Sequence, residues 1–274
     1  MLEHRSGIFC YRCMNLIFAV IILLFGLAFG SFFNVCISRL PRRKSLVFPN
    51  SHCPGCQTPI KFYHNIPIFS YLCLKGKCAA CGAKIHWHYF LVELITPLLF
   101  IILFLQFGLS LLLLKYLIFI SFGIVICFID LFHKIVPDVL SLPLLGLGLI
   151  FSFFPGSDVS VISALLGAGF GFVVFLVTAY LFQIGSGKES LGGGDIKLIA
   201  AVGSFIGILG TIFTMIFGSL LALLILISIG HDRRKEFPFG PFIVMGAFSY
   251  IMFGHILFIK YMSLFSHNYS ILSP

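Results

Sequence analysis

Residues 110–138 read SLLLLKYLIFISFGIVICFIDLFHKIVPD. From 110 to 129 the only charge is Lys115, and a helix needs about 20 apolar residues to cross the hydrocarbon of a bilayer. The run closes on Asp130, and a second carboxylate, Asp138, follows Pro137. An apolar span that ends in an aspartate organises the rest of the chain.

Outward from this run, comparable stretches recur at 15–37, 89–106, 138–154, 159–182, 195–208, 211–229 and 239–260. The expected fold class is an all-α polytopic membrane protein of about eight transmembrane helices. Composition agrees. Of 274 residues, 59% are hydrophobic, 34 are Phe and 10% are charged, against about 25% charged in an ordinary soluble domain. That excludes a soluble enzyme, a disordered chain and a nucleic-acid binder, so no nucleic-acid partner is expected. The formal charge of +9 suits loops that face anionic membrane lipids.

Basic residues set the direction, because Lys and Arg near span ends are retained in the cytoplasm. With residues 38–88 inside, alternation over eight spans puts the loops near 134, 188 and 233 inside too. Fourteen of the eighteen Lys and Arg then lie on that side, and only Arg5, Arg12, Lys115 and Lys260 on the other. Both termini are expected outside the cytoplasm. The first run also has the layout of a secretory signal, with Arg5 and Arg12 ahead of it and Gly30 and Ser31 near its end. Eight basic residues within the next 50 positions oppose export, so it reads as a span.

The segment between the first two spans is polar and rich in Pro and Gly. The chain therefore divides into an N-terminal segment and first helix (1–37), a cytoplasmic four-cysteine domain (38–88) and a membrane-embedded domain (89–274). Within the insertion stand Cys53-Pro-Gly-Cys56 and Cys78-Ala-Ala-Cys81, 21 residues apart. Two CxxC turns place four thiolates around a structural zinc ion, and about 50 residues cannot bury enough apolar area to hold their shape unaided. A reducing cytoplasm disfavours the alternative of two disulfides. Closed coordination leaves zinc no open position for chemistry. Cys10 and Cys13 repeat the spacing, but two thiols do not fill a tetrahedral site, and they are assigned no role.

Carboxylates are costly in hydrocarbon and mark function by default. Asp138, after a proline at a helix start, is well placed as an N-cap. Asp130 sits at a helix C-terminus, where the dipole opposes it, so something else must retain it. Asp195 closes Gly192-Gly193-Gly194-Asp195. Alone it reads as an N-cap behind a flexible linker; three glycines also admit unusual backbone conformations and the close approach of another segment. Two aspartates brought together cannot easily both ionise and share one proton, so one can act as base toward water while the other is already an acid. Aspartic proteases work this way, without metal or covalent intermediate.

On these residues the chain resembles the type IV prepilin peptidases, GxGD-type intramembrane aspartyl proteases. The resemblance runs from Gly30-Ser-Phe-Phe-Asn-Val-Cys-Ile-Ser-Arg-Leu-Pro41 through both CxxC pairs and Tyr89-Phe-Leu-Val-Glu93. It continues through Asp130-Leu-Phe-His-Lys-Ile-Val-Pro-Asp138, Gly192-Gly-Gly-Asp-Ile-Lys197 and Pro238-Phe-Gly-Pro241. It implies that Asp130 and Asp195 are catalytic, with Gly192 and Gly194 in the active-site loop, and that Asp138 is not. It further implies cleavage of prepilins and pseudopilins after the Gly of a short basic leader, at the cytoplasmic face of the bacterial inner membrane. N-methylation of the new terminus with S-adenosylmethionine follows in many members, those that carry the cysteine domain. No glycine-rich cofactor fold is legible, so the cofactor site is not placed. Glu93 reads as an interfacial hydrogen-bond partner, and Lys197, two residues after Asp195, is expected to point away from it. The alternative from another class is a transporter with intramembrane carboxylates, which predicts inverted repeats and mid-membrane acids.

Overall fold

The computed structural model describes residues 2–48, 51–53, 55–60, 66–186, 192–229 and 237–269. These form eight α-helices: α1 (Leu2–Arg39), α2 (Phe69–Cys73), α3 (Trp87–Phe107), α4 (Leu111–His133), α5 (Asp138–Ser152), α6 (Val161–Ser186), α7 (Gly193–Ile229) and α8 (Gly240–Tyr269). Among the described residues there is no strand, only two isolated antiparallel bridges. Among the described residues, five helical stretches are long and apolar enough to cross a membrane: Asn15–Arg42, Trp87–Phe107, Leu111–His133, Val161–Gly185 and Gly193–Ser228. Asp138–Ser152 and Gly240–Gly254 are shorter apolar helices. Lys61 and the loops around Lys188 and Arg233, part of the charge reading, lie outside the described residues, and of Cys10 and Cys13 only the helical backbone is described.

Local chemistry explains the helix ends. The side chain of Ser110 accepts the Leu113 N–H at 3.2 Å at the start of α4, the bond that satisfies an orphan N-terminal donor. At the other end Lys134 turns left-handed (φ 54°) and its N–H donates to the Asp130 carbonyl at 2.8 Å, closing α4 one turn after the aspartate. Gly108 (φ 57°) closes α3 in the same way, its N–H on Phe104 O at 2.8 Å.

The chain forms two compact units, residues 1–125 and 126–274. In the first, α1 lies along α3, with Phe29 and Phe100 in contact between them. In the second, α7 is the central element, packed on α5, α6 and α8, and Leu198, Ile199, Ala201, Val202 and Phe205 along it are fully buried. The two spans expected at 195–208 and 211–229 are one helical stretch broken at Gly207, where φ is 69°. Only glycine takes that conformation without strain. The Thr211 hydroxyl donates to Gly207 O at 2.8 Å, occupying a carbonyl at the break.

Candidate active site

Asp130 lies near the C-terminus of α4 and is only 4% exposed. What retains it there is α8. The N–H of Gly240, first residue of that helix, donates to Asp130 Oδ2 at 2.9 Å. A helix N-terminus carries unsatisfied N–H groups and partial positive charge, so the dipole that α4 turns against its own aspartate is answered by the opposite end of α8. Pro241 in the second position costs nothing, because its missing N–H belongs to the donors that stay unpaired in the first turn. Glycine at 240 leaves room for this contact: a Cβ would stand 2.9 Å from Asp130 Oδ2 and 3.3 Å from its Cγ, so the carboxylate would have to shift.

Asp195 sits in the first turn of α7 rather than at the cap, since the helix begins at Gly193. Its N–H donates to Gly192 O at 3.0 Å. The structure brings it within Coulombic reach of Asp130, and its buried Oδ1 has no hydrogen-bond partner. A lone buried acceptor is expensive unless a proton, water or substrate group meets it. The glycines before it have unequal tasks. A Cβ on Gly194 would lie 2.7 Å from Val136 Cβ and 2.9 Å from Val136 O, so this glycine lets the α4–α5 turn pass against the start of α7. A Cβ on Gly192 would meet only an ordinary contact, 3.6 Å to Asp195 Oδ2.

In the other unit the two cysteine turns are near copies. The Cys53 N–H donates to Thr58 O and the Cys78 N–H to Ala83 O, while Gln57 and Gly82, both left-handed, donate back to the first cysteine of each turn. The four Sγ atoms of Cys53, Cys56, Cys78 and Cys81 all lie within 4.8 Å of one another, and those of Cys53 and Cys81 are 3.8 Å apart. Four sulfurs at about 2.3 Å from one zinc ion stand about 3.8 Å apart, so the cluster fits a closed tetrahedral site. Its electrostatics fit as well. Hydrogen bonds with Thr58 lower the Cys56 thiol to about 6, and backbone N–H groups of Cys81 and Ala80 lower that of Cys78. Cys81, though it accepts a backbone bond from Ala83 that works the other way, is pushed up to about 11 chiefly by the neighbouring Cys56. Sulfurs crowded this closely compete for negative charge, and a divalent cation relieves the competition.

Residues 24–107 match the bacterial peptidase A24 N-terminal domain, and residues 117–227 match the type IV leader peptidase family. The chain is 38% identical to the prepilin leader peptidase/N-methyltransferase of Neisseria gonorrhoeae over 79% of its own length and 84% of that protein's. The chain belongs to the type IV leader peptidase family. Two further members bearing the same name are similar over most of their length. That of Pseudomonas aeruginosa is 35% identical (87% of this chain, 91% of that one) and that of Dichelobacter nodosus 33% (84% and 90%). No solved structure matches this chain.

One residue near the aspartates, Asp138, differs from expectation. Asp138 does not cap α5: Pro137 holds the cap position without a side-chain bond, and Asp138 is the first helical residue. Its Oδ1 instead accepts from Lys197 Nζ at 2.7 Å. This explains both residues at once, Lys197 pointing away from Asp195 toward a partner 59 residues earlier. Gly240 was legible only as part of Pro238-Phe-Gly-Pro241, and nothing local in that motif announces a contact with Asp130.

Proposed function

We propose that this chain is the enzyme its relatives' names describe, a peptidase that removes the leader from prepilins and an N-methyltransferase that acts on the exposed terminus. The observation that carries the reading is the pairing of Asp130, held by the α8 N-terminus, with Asp195, whose buried Oδ1 has no partner. Asp130 and Asp195 are the catalytic pair, and Gly192 and Gly194 belong to the active-site loop. One ionised carboxylate takes a proton from water as its oxygen attacks the scissile carbonyl carbon, and the protonated partner gives its proton to the carbonyl oxygen. Collapse of the tetrahedral species passes a proton to the departing nitrogen, which becomes the new α-amine.

Cys53, Cys56, Cys78 and Cys81 are the ligands of a structural zinc ion, which supplies shape rather than chemistry. S-adenosylmethionine, when bound, supplies an electrophilic methyl group to the neutral α-amine. The substrates are prepilins and pseudopilins with a short basic leader ending in Gly. The chain crosses the bacterial inner membrane eight times with both termini outside the cytoplasm, α7 counting as two crossings divided at Gly207. Its parts are residues 1–37, 38–88 and 89–274. No observation favours the transporter alternative.

Co-expression with a candidate prepilin, followed by mass measurement of the product, tests the reading, because loss of the leader and gain of one methyl group are separately visible. Asp130→Asn and Asp195→Asn should each abolish leader loss while the protein still inserts, since each removes one titrating partner. Near-normal processing by either variant would sink the assignment.

A further inference from the structure

The first unit encloses a cavity of about 780 Å³ lined by residues of α1, both cysteine turns, α2 and α3. Neither Asp130 nor Asp195 lines it, so peptide hydrolysis leaves it without a task. Its volume is that of a small-molecule site, commonly about 300–1,000 Å³.

Two acceptors mark the cavity. Asn34, on α1, is 5% exposed. Its Nδ2 donates to Tyr89 O at 3.0 Å, while its Oδ1 is buried with no hydrogen-bond partner. Glu93 stands one turn after Tyr89 on α3, its carboxylate within electrostatic reach of the Asn34 side chain. Glu93 Oε2 also accepts the N–H of Ile68 at 2.7 Å. Ile68 has φ 64° and ψ −53°, a conformation that a β-branched residue adopts only under external constraint. The carboxylate therefore fastens a strained turn beside the cavity, and the orphaned amide oxygen next to it awaits a donor. An anionic and a neutral acceptor side by side select a cationic donor.

The rest of the lining completes a pattern. Arg42 lies within Coulombic reach of Tyr89 and brings positive charge to the same wall. Flat faces are held in place nearby, Tyr71 against Phe90 at 5.2 Å and His88 on Tyr89 at 4.3 Å between ring centroids. A matching ligand carries an ammonium, a carboxylate and a planar heterocycle. S-adenosylmethionine carries all three.

We propose that this cavity is the S-adenosylmethionine site, with Glu93 and Asn34 Oδ1 accepting from the α-ammonium, Arg42 opposite the carboxylate and an aromatic face for the adenine. The inference rests on the N-methylation proposed above and names where its cofactor is held. The processed pilin also offers an α-ammonium, so the test begins without pilin.

The full chain, zinc-loaded and in nanodiscs, is dialysed to equilibrium against S-adenosyl-L-[methyl-³H]methionine. One molecule should bind per chain. Glu93→Gln keeps an oxygen for the Ile68 N–H but loses the charge, and should weaken binding about 10- to 100-fold, the worth of one hydrogen bond to a charged group. Wild-type affinity in this variant overturns the proposal. Ultraviolet cross-linking of the same probe to the unmutated chain gives an answer that does not depend on how the variant folds. Label mapped to residues 31–93 supports the site, and label mapped to residues 126–274 overturns it. Binding that requires pilin, with Glu93→Gln raising the KM for pilin alone, gives the acceptors to the pilin amine and also overturns it. A wild-type chain that cleaves prepilin but neither methylates it nor binds the probe refutes the underlying reading. One that methylates but cross-links elsewhere refutes only the site.

Discussion

Gly240→Ala should damage catalysis without damaging the fold. The new methyl would stand 2.9 Å from Asp130 Oδ2, and carbon–oxygen contacts settle near 3.3–3.6 Å, so the carboxylate must retreat by about 0.5 Å. Asp130 is 4% exposed and has a short side chain, which leaves it little room to turn aside. The Gly240 N–H bond, now 2.9 Å, stretches toward the limit of about 3.2 Å. A displacement of ~1 Å can cost ~100-fold in rate, and losing a hydrogen bond to a charged group costs about 1.5–3 kcal/mol. Together they predict kcat for leader removal about 10- to 100-fold lower with KM little changed. Alanine at the first helical position favours the helix by up to about 1 kcal/mol, so the thermal midpoint should not fall. Time courses of leader loss by mass, over a range of prepilin concentrations and alongside a melting curve, decide it. A kcat within twofold of wild type would mean that Asp130 does not depend on the end of α8 for its position.

Other perturbations separate the parts of the molecule. Gly194→Val should cost both stability and cleavage, because its side chain meets Val136 Cβ and O at under 3 Å; a melting curve unchanged from wild type would contradict the close approach. Asp138→Asn should be mild in both respects, since its pair with Lys197 is partly exposed and such pairs contribute about 0–1 kcal/mol; prepilin processing should stay near normal. Cys53→Ser with Cys78→Ser should release zinc, measured by elemental analysis, and abolish methyl incorporation. Leader cleavage should slow but persist, because the aspartates belong to the other unit.

What the sequence disclosed and what it withheld divide along the range of the interactions. Apolar runs lie next to one another in the chain, so α1, α3, α4, α5 and α6 were legible to within a few residues at most ends. The cysteine cluster was legible because each CxxC is a local turn. The break in α7 was expected near 209–210 and falls at Gly207, since Gly203, Gly207 and Gly210 are equivalent to a hydropathy reading and only packing chooses among them. Asp138 was expected to cap because local preference favours it, and a lysine 59 residues away prevails. Gly240 carried no local signal, its partner being 110 residues earlier. The cavity beside Glu93 is built by α1, both cysteine turns, α2 and α3 together and has no linear signature.

The break at Gly207 also sets a length. At about 1.5 Å per residue, an unbroken helix from 193 to 229 would measure about 55 Å, nearly twice the roughly 30 Å of bilayer hydrocarbon. Divided at Gly207, the part bearing Asp195 is a rod of about 20 Å, clamped at one end by the break and carrying its carboxylate at the other. Each residue added to or removed from such a rod shifts that carboxylate by about 1.5 Å and swings it about 100° around the axis, away from Asp130. The interval between Asp195 and Gly207 should therefore not accept a change of even one residue in length.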